Sequence, residues 1–136
     1  MRSILGTVWC NNRTPDEGAR RSLREGLKAQ LVAMFPELEP IYCGSINVYL
    51  SEPLRTRHDF QTPAIRWEAY WNKDWGPESF GFQRIKFQYS EDGPLYPRAW
   101  IWTPSLNANL NDWNKEILAE EVPKLEPGTT CRIHID

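Results

Sequence analysis

The chain reads as a mainly β protein with one long helix, its six short strands closed into a small barrel. Three observations lead there. Apolar and polar residues alternate through several short segments, most clearly from Ser45 to Leu50, where Ile46, Val48 and Leu50 fall on one face and Ser45, Asn47 and Tyr49 on the other. Clusters of Gly, Pro, Asn and Asp punctuate those segments at turn-like intervals. One stretch alone, beginning at Thr14, carries a sustained helical spacing. Closure follows from the strand count, because isolated strands would leave unpaired edges.

The first strand is expected over residues 4–10, where Ile4, Leu5, Val8 and Trp9 supply apolar and β-branched side chains ahead of the turn-forming Asn11, Asn12 and Arg13. A helix then starts. Thr14 is placed to cap it, Pro15 takes the first helical position, and Glu17 stands three residues after the cap. Leu23, Leu27 and Leu31 recur every fourth residue, Met34 and Phe35 extend the stripe, and Pro36 ends it. After the strand over 45–50, residues 51–63 are polar, carry Pro53 and Pro63, and form a loop long enough to act as a lid or binding loop. A third strand is expected from Ala64 to Trp71, with Ile65, Trp67, Ala69 and Trp71 aligned, a fourth from Phe80 to Tyr89, and a fifth from Arg98 to Trp102. Residues 105–115 are rich in Asn and irregular, a short helical piece is expected from Glu116 to Glu121, and Cys131, Ile133 and Ile135 alternate in a last strand. No repeat or linker divides the 136 residues, so one domain is expected over 1–136.

Composition narrows the function classes. Seven Trp, five Tyr and five Phe stand against two Met, so flat rings dominate the interior or a binding face. A net charge of −2 disfavours the broad basic field that nucleic-acid binding needs, including that of a DNA-binding swapped-hairpin barrel. Cys10, Cys43 and Cys131 lack metal-type spacing and read as free thiols of a reducing cytoplasm. Neither a signal peptide nor a membrane span is expected. Neither His58 nor His134 stands beside a recognisable nucleophile, and no hydrolase triad is discernible. Trp67 with Trp71, and Trp100 with Trp102, could each form a two-ring platform for a flavin, nucleobase or sugar, or could fill the core.

Over most of its length the chain resembles the archaeal-type, CTP-dependent riboflavin kinases. The likeness is carried, in order, by Glu39-Pro40, by Gly44-Ser45-Ile46-Asn47, by Phe80-Gly81-Phe82, by Ala99 to Pro104, and by Glu116-Ile117-Leu118 with Leu125 and Gly128 beyond it. The resemblance implies a six-stranded cradle-loop barrel and a nucleotide-dependent phosphoryl transfer to a small molecule such as a flavin. It also implies Mg²⁺ held with the nucleotide by Ser45 and Asn47, Thr103 on the nucleotide, and Glu116 as the catalytic group that orients or deprotonates the acceptor hydroxyl. An i, i+2 pair on a strand does aim both oxygens to one side, and Mg²⁺ takes hard oxygen ligands.

The chain departs from that family in two places. The glycine-rich first loop is replaced by Trp9 to Pro15, so nucleotide phosphates would have to meet the helix start near Arg13 and Arg20, where Asp16 and Glu17 would repel them and a capped helix with a solvated basic flank is the favoured reading. The segment ahead of Glu116 is longer and lacks His, and Ala119 stands where the family has a second glutamate. The rival expectation is a non-catalytic barrel that binds a nucleotide, a flavin-like molecule or a protein partner.

Overall fold

The structure, a computed structural model, describes residues 2–11, 25–42, 44–67, 74 and 76–136. Its strands are β1 (Arg2–Asn11), β2 (Ile46–Leu50), β3 (Phe60–Gln61), β4 (Ile65–Arg66), β5 (Pro77–Glu78), β6 (Phe80–Tyr89), β7 (Leu95–Pro104), β8 (Asn114–Ala119) and β9 (Thr130–Ile135). Helix α1 (Glu25–Met34) and a 3-10 turn at Pro36–Leu38 complete the described elements. No described helix is long and apolar enough to cross a membrane.

Antiparallel pairing runs β6–β7–β8–β2–β1–β9 and returns from β9 to β6, giving a closed six-stranded barrel. The short β3 continues the pairing edge of β6 past the end of β9: Phe60 pairs with Phe82, whereas β9 takes Lys86 to Tyr89. Two bulges shape the wall. Trp9 is an extra residue in β1 between Val8 and Cys10, and β7 carries an extra residue in the Pro97–Arg98 stretch, where Pro97 has no amide hydrogen to donate to a ladder.

Membership of the barrel differs from the sequence expectation at two elements. The segment expected as a helix from Glu116 is the strand β8, paired with both β2 and β7. Every residue of β8 is buried, so no alternation of polar and apolar residues reveals it, and tertiary pairing overrides the helix preference of its Lys, Glu, Leu and Ala. Of the strand expected over Ala64–Trp71, Ile65–Arg66 is a strand that pairs with β5 outside the barrel; residues 68–71 lie outside the described ones. Of the long helix expected from Thr14, the structure describes the part from Glu25 onward.

Two apolar clusters result. Inside the barrel pack Ile4, Val8, Ile46, Val48, Ile85, Phe87, Ile101, Ile117 and Ile133, the inward half of each alternating strand. Outside, against the outer faces of β6, β7 and β8, Leu27 and Leu31 of α1 join Leu38, Ile41, Ile65 and Trp67 over Phe80, Phe82, Trp100, Trp102 and Leu118. That second cluster explains the abundance of rings: Trp102 stacks on Phe80 at 5.2 Å, and both are shielded from water. Its edge is tied by Arg84, which donates to both carboxylate oxygens of Glu37 at 2.9 and 2.6 Å, and by the Trp100 indole, 3.2 Å from the same group. The guanidinium and, more weakly, the indole hold Glu37 below the ordinary carboxylate pKa against the opposing effect of burial.

Candidate functional site

Register puts three of the residues singled out in the sequence side by side. Asn47 of β2 faces Glu116 of β8, and Glu116 faces Trp102 of β7 across the other edge of its strand. Since Ile46 and Ile117 point into the barrel, Asn47 and Glu116 point out of it. Ser45, just ahead of β2, donates its hydroxyl to Glu116 Oε1 at 2.5 Å, and Asn107 Nδ2 donates to Glu116 Oε2 at 3.0 Å. Asn107 is itself fixed by accepting from the Asn109 amide in the turn that covers this face. Ser45 and Glu116 are 0% and 1% exposed and Asn47 is 7% exposed, so the group is largely covered, with the 105–109 turn over it. The amide of Asn47 has no side-chain hydrogen bond among the described residues.

These donors are all oxygen or amide groups, which suits Mg²⁺ chemically. Ser45 and both carboxylate oxygens are already engaged with protein donors, so an ion would have to replace the Ser45–Glu116 bond and open the covering turn. Among the described residues no group of three or more His, Cys, Asp or Glu could hold a metal ion.

An open cavity of about 220 Å³ adjoins this group at the end of the barrel, with Glu116 and Trp102 on its border. Arg55, Thr56 and His58 from the loop after β2 line one side, Thr103 of β7 and Lys115 of β8 the barrel wall, and Asp112 the loop before β8. The 51–63 loop expected to serve as a lid or binding loop thus contributes to its wall. Lys115 points inward because its register partner is Val48, a barrel-core residue. It is 5% exposed, and Nζ donates to Thr56 Oγ1 at 2.6 Å. Burial lowers its pKa below the ordinary lysine value, a shift that the charge of Asp112 opposes. His58 lies directly over Gly81, where a Cβ would stand 2.0 Å from its Nδ1; only a residue without a side chain lets the imidazole rest on the wall.

A smaller cavity of about 130 Å³ sits between β6, β7 and β9, lined by Arg84, Lys86, Pro97, His134 and Asp136. There burial first, and then the charges of Arg132 and Lys86, hold His134 below its ordinary pKa, and the ring is 3.0 Å from Gln88 Oε1.

The candidate residues therefore separate. Ser45, Asn47 and Glu116 come together on the outer wall; Thr103 lies at the barrel mouth, a cavity that Glu116 also borders. Trp67 is 3% exposed, packs edge-on against Phe80 and Trp102, and donates to the buried Glu78 at 2.7 Å, so its ring is occupied by the outer cluster. Arg13, Arg20 and Trp71 lie outside the described residues. Sequence reasoning passed over Lys115 and Arg55, and it passed over the rings that stand open, Trp9, Tyr49 and Trp113, which are 48%, 54% and 41% exposed. The signal for Lys115 was its position two residues before Ile117 and four before Ala119, on what proves to be the inward face of a strand.

No protein-family model and no curated protein matches the chain.

Proposed function

We propose that this chain is a ligand-binding barrel whose site is the mouth cavity, with Ser45 and Glu116 serving, through Asn107, to hold the 105–109 turn on the wall. One contrast carries the reading. The outer group is closed by its own hydrogen bonds, whereas the mouth presents Arg55, His58 and Thr103 to an open space. At about 220 Å³ the space is smaller than the roughly 300–1,000 Å³ typical of drug-sized ligands, so it suits a small molecule or one end of a flavin or nucleotide. The order of matched segments supports a cradle-loop, riboflavin-kinase-like type of barrel.

Thermal-shift measurements with CTP, ATP, riboflavin and flavin mononucleotide, each with and without Mg²⁺, test it, because a ligand of the folded state raises the melting temperature. A shift that is weakened by Thr103→Val supports the mouth. Absence of a shift with every compound removes the small-molecule reading.

A second reading, phosphoryl transfer from CTP or another nucleotide to a small molecule, is favoured by the Asn47 amide, nearly buried beside a carboxylate and lacking a side-chain hydrogen bond among the described residues. It expects a nucleotide shift that requires Mg²⁺ and disappears in Asn47→Ala, a residue that does not line the mouth.

A further inference from the structure

We propose that the barrel mouth receives a tetrahedral oxyanion, the phosphate group of a small molecule, with the ammonium of Lys115 at its floor. This rests on the reading of the mouth as a ligand site and adds the chemistry of what enters it.

Lys115 is a buried cation with no ion-pair partner among the described residues. It is 95% withdrawn from water, and its hydrogen-bond partner is the neutral hydroxyl of Thr56. A buried ammonium out of contact with any carboxylate is unfavourable even with the charge of Asp112 nearby, and an apolar side chain of similar length would pack there at less cost. Burial lowers its pKa accordingly. An ammonium also has more hydrogens to donate than the single bond to Thr56 uses.

The surroundings point the same way. Arg55 makes no ion pair or hydrogen bond among the described residues, and nor does the imidazole of His58, which contact with Gly81 holds in place. Thr103 adds a hydroxyl from the opposite wall. Two acids also line the cavity. Glu116 already accepts from Ser45 and Asn107 on the outer face, which leaves Asp112 as the acid without such donors. Donors thus approach from three separate segments, the 51–59 loop, β7 and β8. That arrangement satisfies an anion with oxygens in several directions better than a planar carboxylate.

Isothermal titration of the full chain with inorganic phosphate, pyrophosphate and acetate, at constant ionic strength, tests this. Phosphate or pyrophosphate should bind, and acetate should bind about tenfold more weakly or worse. Lys115→Met should abolish phosphate binding, and Arg55→Ala should weaken it by about tenfold or more. Arg55 is exposed and has no protein partner to lose, so its variant reports on the site even if Lys115→Met fails to fold. Equal binding of acetate, undiminished binding by Arg55→Ala, or no heat with either phosphate compound overturns the inference. A chain that binds riboflavin, but neither phosphate compound, keeps the mouth as a ligand site and refutes its anion chemistry; a chain that binds nothing refutes both.

Discussion

Replacing Ser45 by alanine tests whether the outer polar group is a structural clamp. The hydroxyl is fully buried, lies 2.5 Å from Glu116 Oε1, and serves a carboxylate that is itself 1% exposed. Its removal strips a donor from a buried charge that water cannot readily reach. Hydrogen bonds to charged groups contribute about 1.5–3 kcal/mol, a large share of the roughly 5–15 kcal/mol that stabilises a typical domain. At about 3–4 °C per kcal/mol for a chain of intermediate size, the melting temperature should fall by about 5–12 °C. Glu116→Gln should cost less, near 1 kcal/mol, because the amide keeps the shape, its oxygen accepts from Asn107, and its nitrogen can donate to the Ser45 hydroxyl. Urea unfolding of wild type, both single variants and the double variant gives a coupling energy, expected at about 1 kcal/mol or more for directly bonded partners. A loss under about 0.5 kcal/mol in Ser45→Ala, or additivity of the two changes, refutes the clamp.

Three further outcomes follow from the same geometry. Lys115→Met should stabilise the ligand-free chain near neutral pH by about 1–2 kcal/mol. Because burial sets the folded pKa of Lys115 below the unfolded one, the unfolded chain holds more protons between those values, so this lysine's penalty fades as pH rises toward about 10.4; unfolding curves of the two proteins should therefore converge in alkali, and a gap independent of pH would contradict the assignment. Cys131 is buried with its thiol pKa pushed up to about 12, so iodoacetamide should leave it unmodified in the native chain and label it in urea, as read by peptide mass spectrometry; rapid native labelling would count against its place in the barrel core. Gly81→Ala should displace the His58 ring, since a Cβ would stand 2.0 Å from Nδ1, at a cost within about 1–3 kcal/mol; unchanged imidazole resonances would show that the ring does not rest there.

The parts of the fold that are legible in the sequence are those whose residues alternate between polar and apolar or carry a clear spacing of apolar side chains. β2 and β9 alternate cleanly, and both were placed within a residue or two of their observed bounds. β6 was delimited at Phe80 and Tyr89, and Leu27 and Leu31 bury on the helix face that their spacing marks. β8 was not legible. It is covered inside by the barrel and outside by the second cluster, and a strand buried on both sides loses the period that identifies it. The stretch from Ala64 failed in the opposite way: Ile65 and Trp67 do share a face, but that face packs against the outer cluster and never joins the barrel wall. Six of the nine described strands form the barrel, the number expected, because β8 takes the place expected for the Ala64–Trp71 segment. The site was legible in the same partial sense. The grouping of Ser45, Asn47 and Glu116 depends on β2 pairing with β8, and the expected helix at Glu116 would not have supplied that ladder.

The two candidate chemistries are separated by one residue of β8. Lys115 points inward and Glu116 out to the clamp, and the same alternation on β7 turns Thr103 inward and Trp102 to the outer cluster, with the cavity reaching the edge of both faces. A slip of one position would bury the carboxylate in the barrel and place the ammonium beside Ser45 and Asn107, whose fixed dipoles are oriented to donate. Register is therefore held electrostatically as well as by Ile117 and Ala119 on the apolar side. The clamp and the mouth are coupled through that register: Ser45→Ala loosens the strand that also presents Lys115, so phosphate affinity should fall with it even though Ser45 does not line the cavity. The loss should be smaller than that of Arg55→Ala, because Ser45 acts on the position of a donor and Arg55 is a donor. Titration of Ser45→Ala with phosphate decides the point, and an affinity equal to that of wild type would mean that the two faces of β8 behave independently.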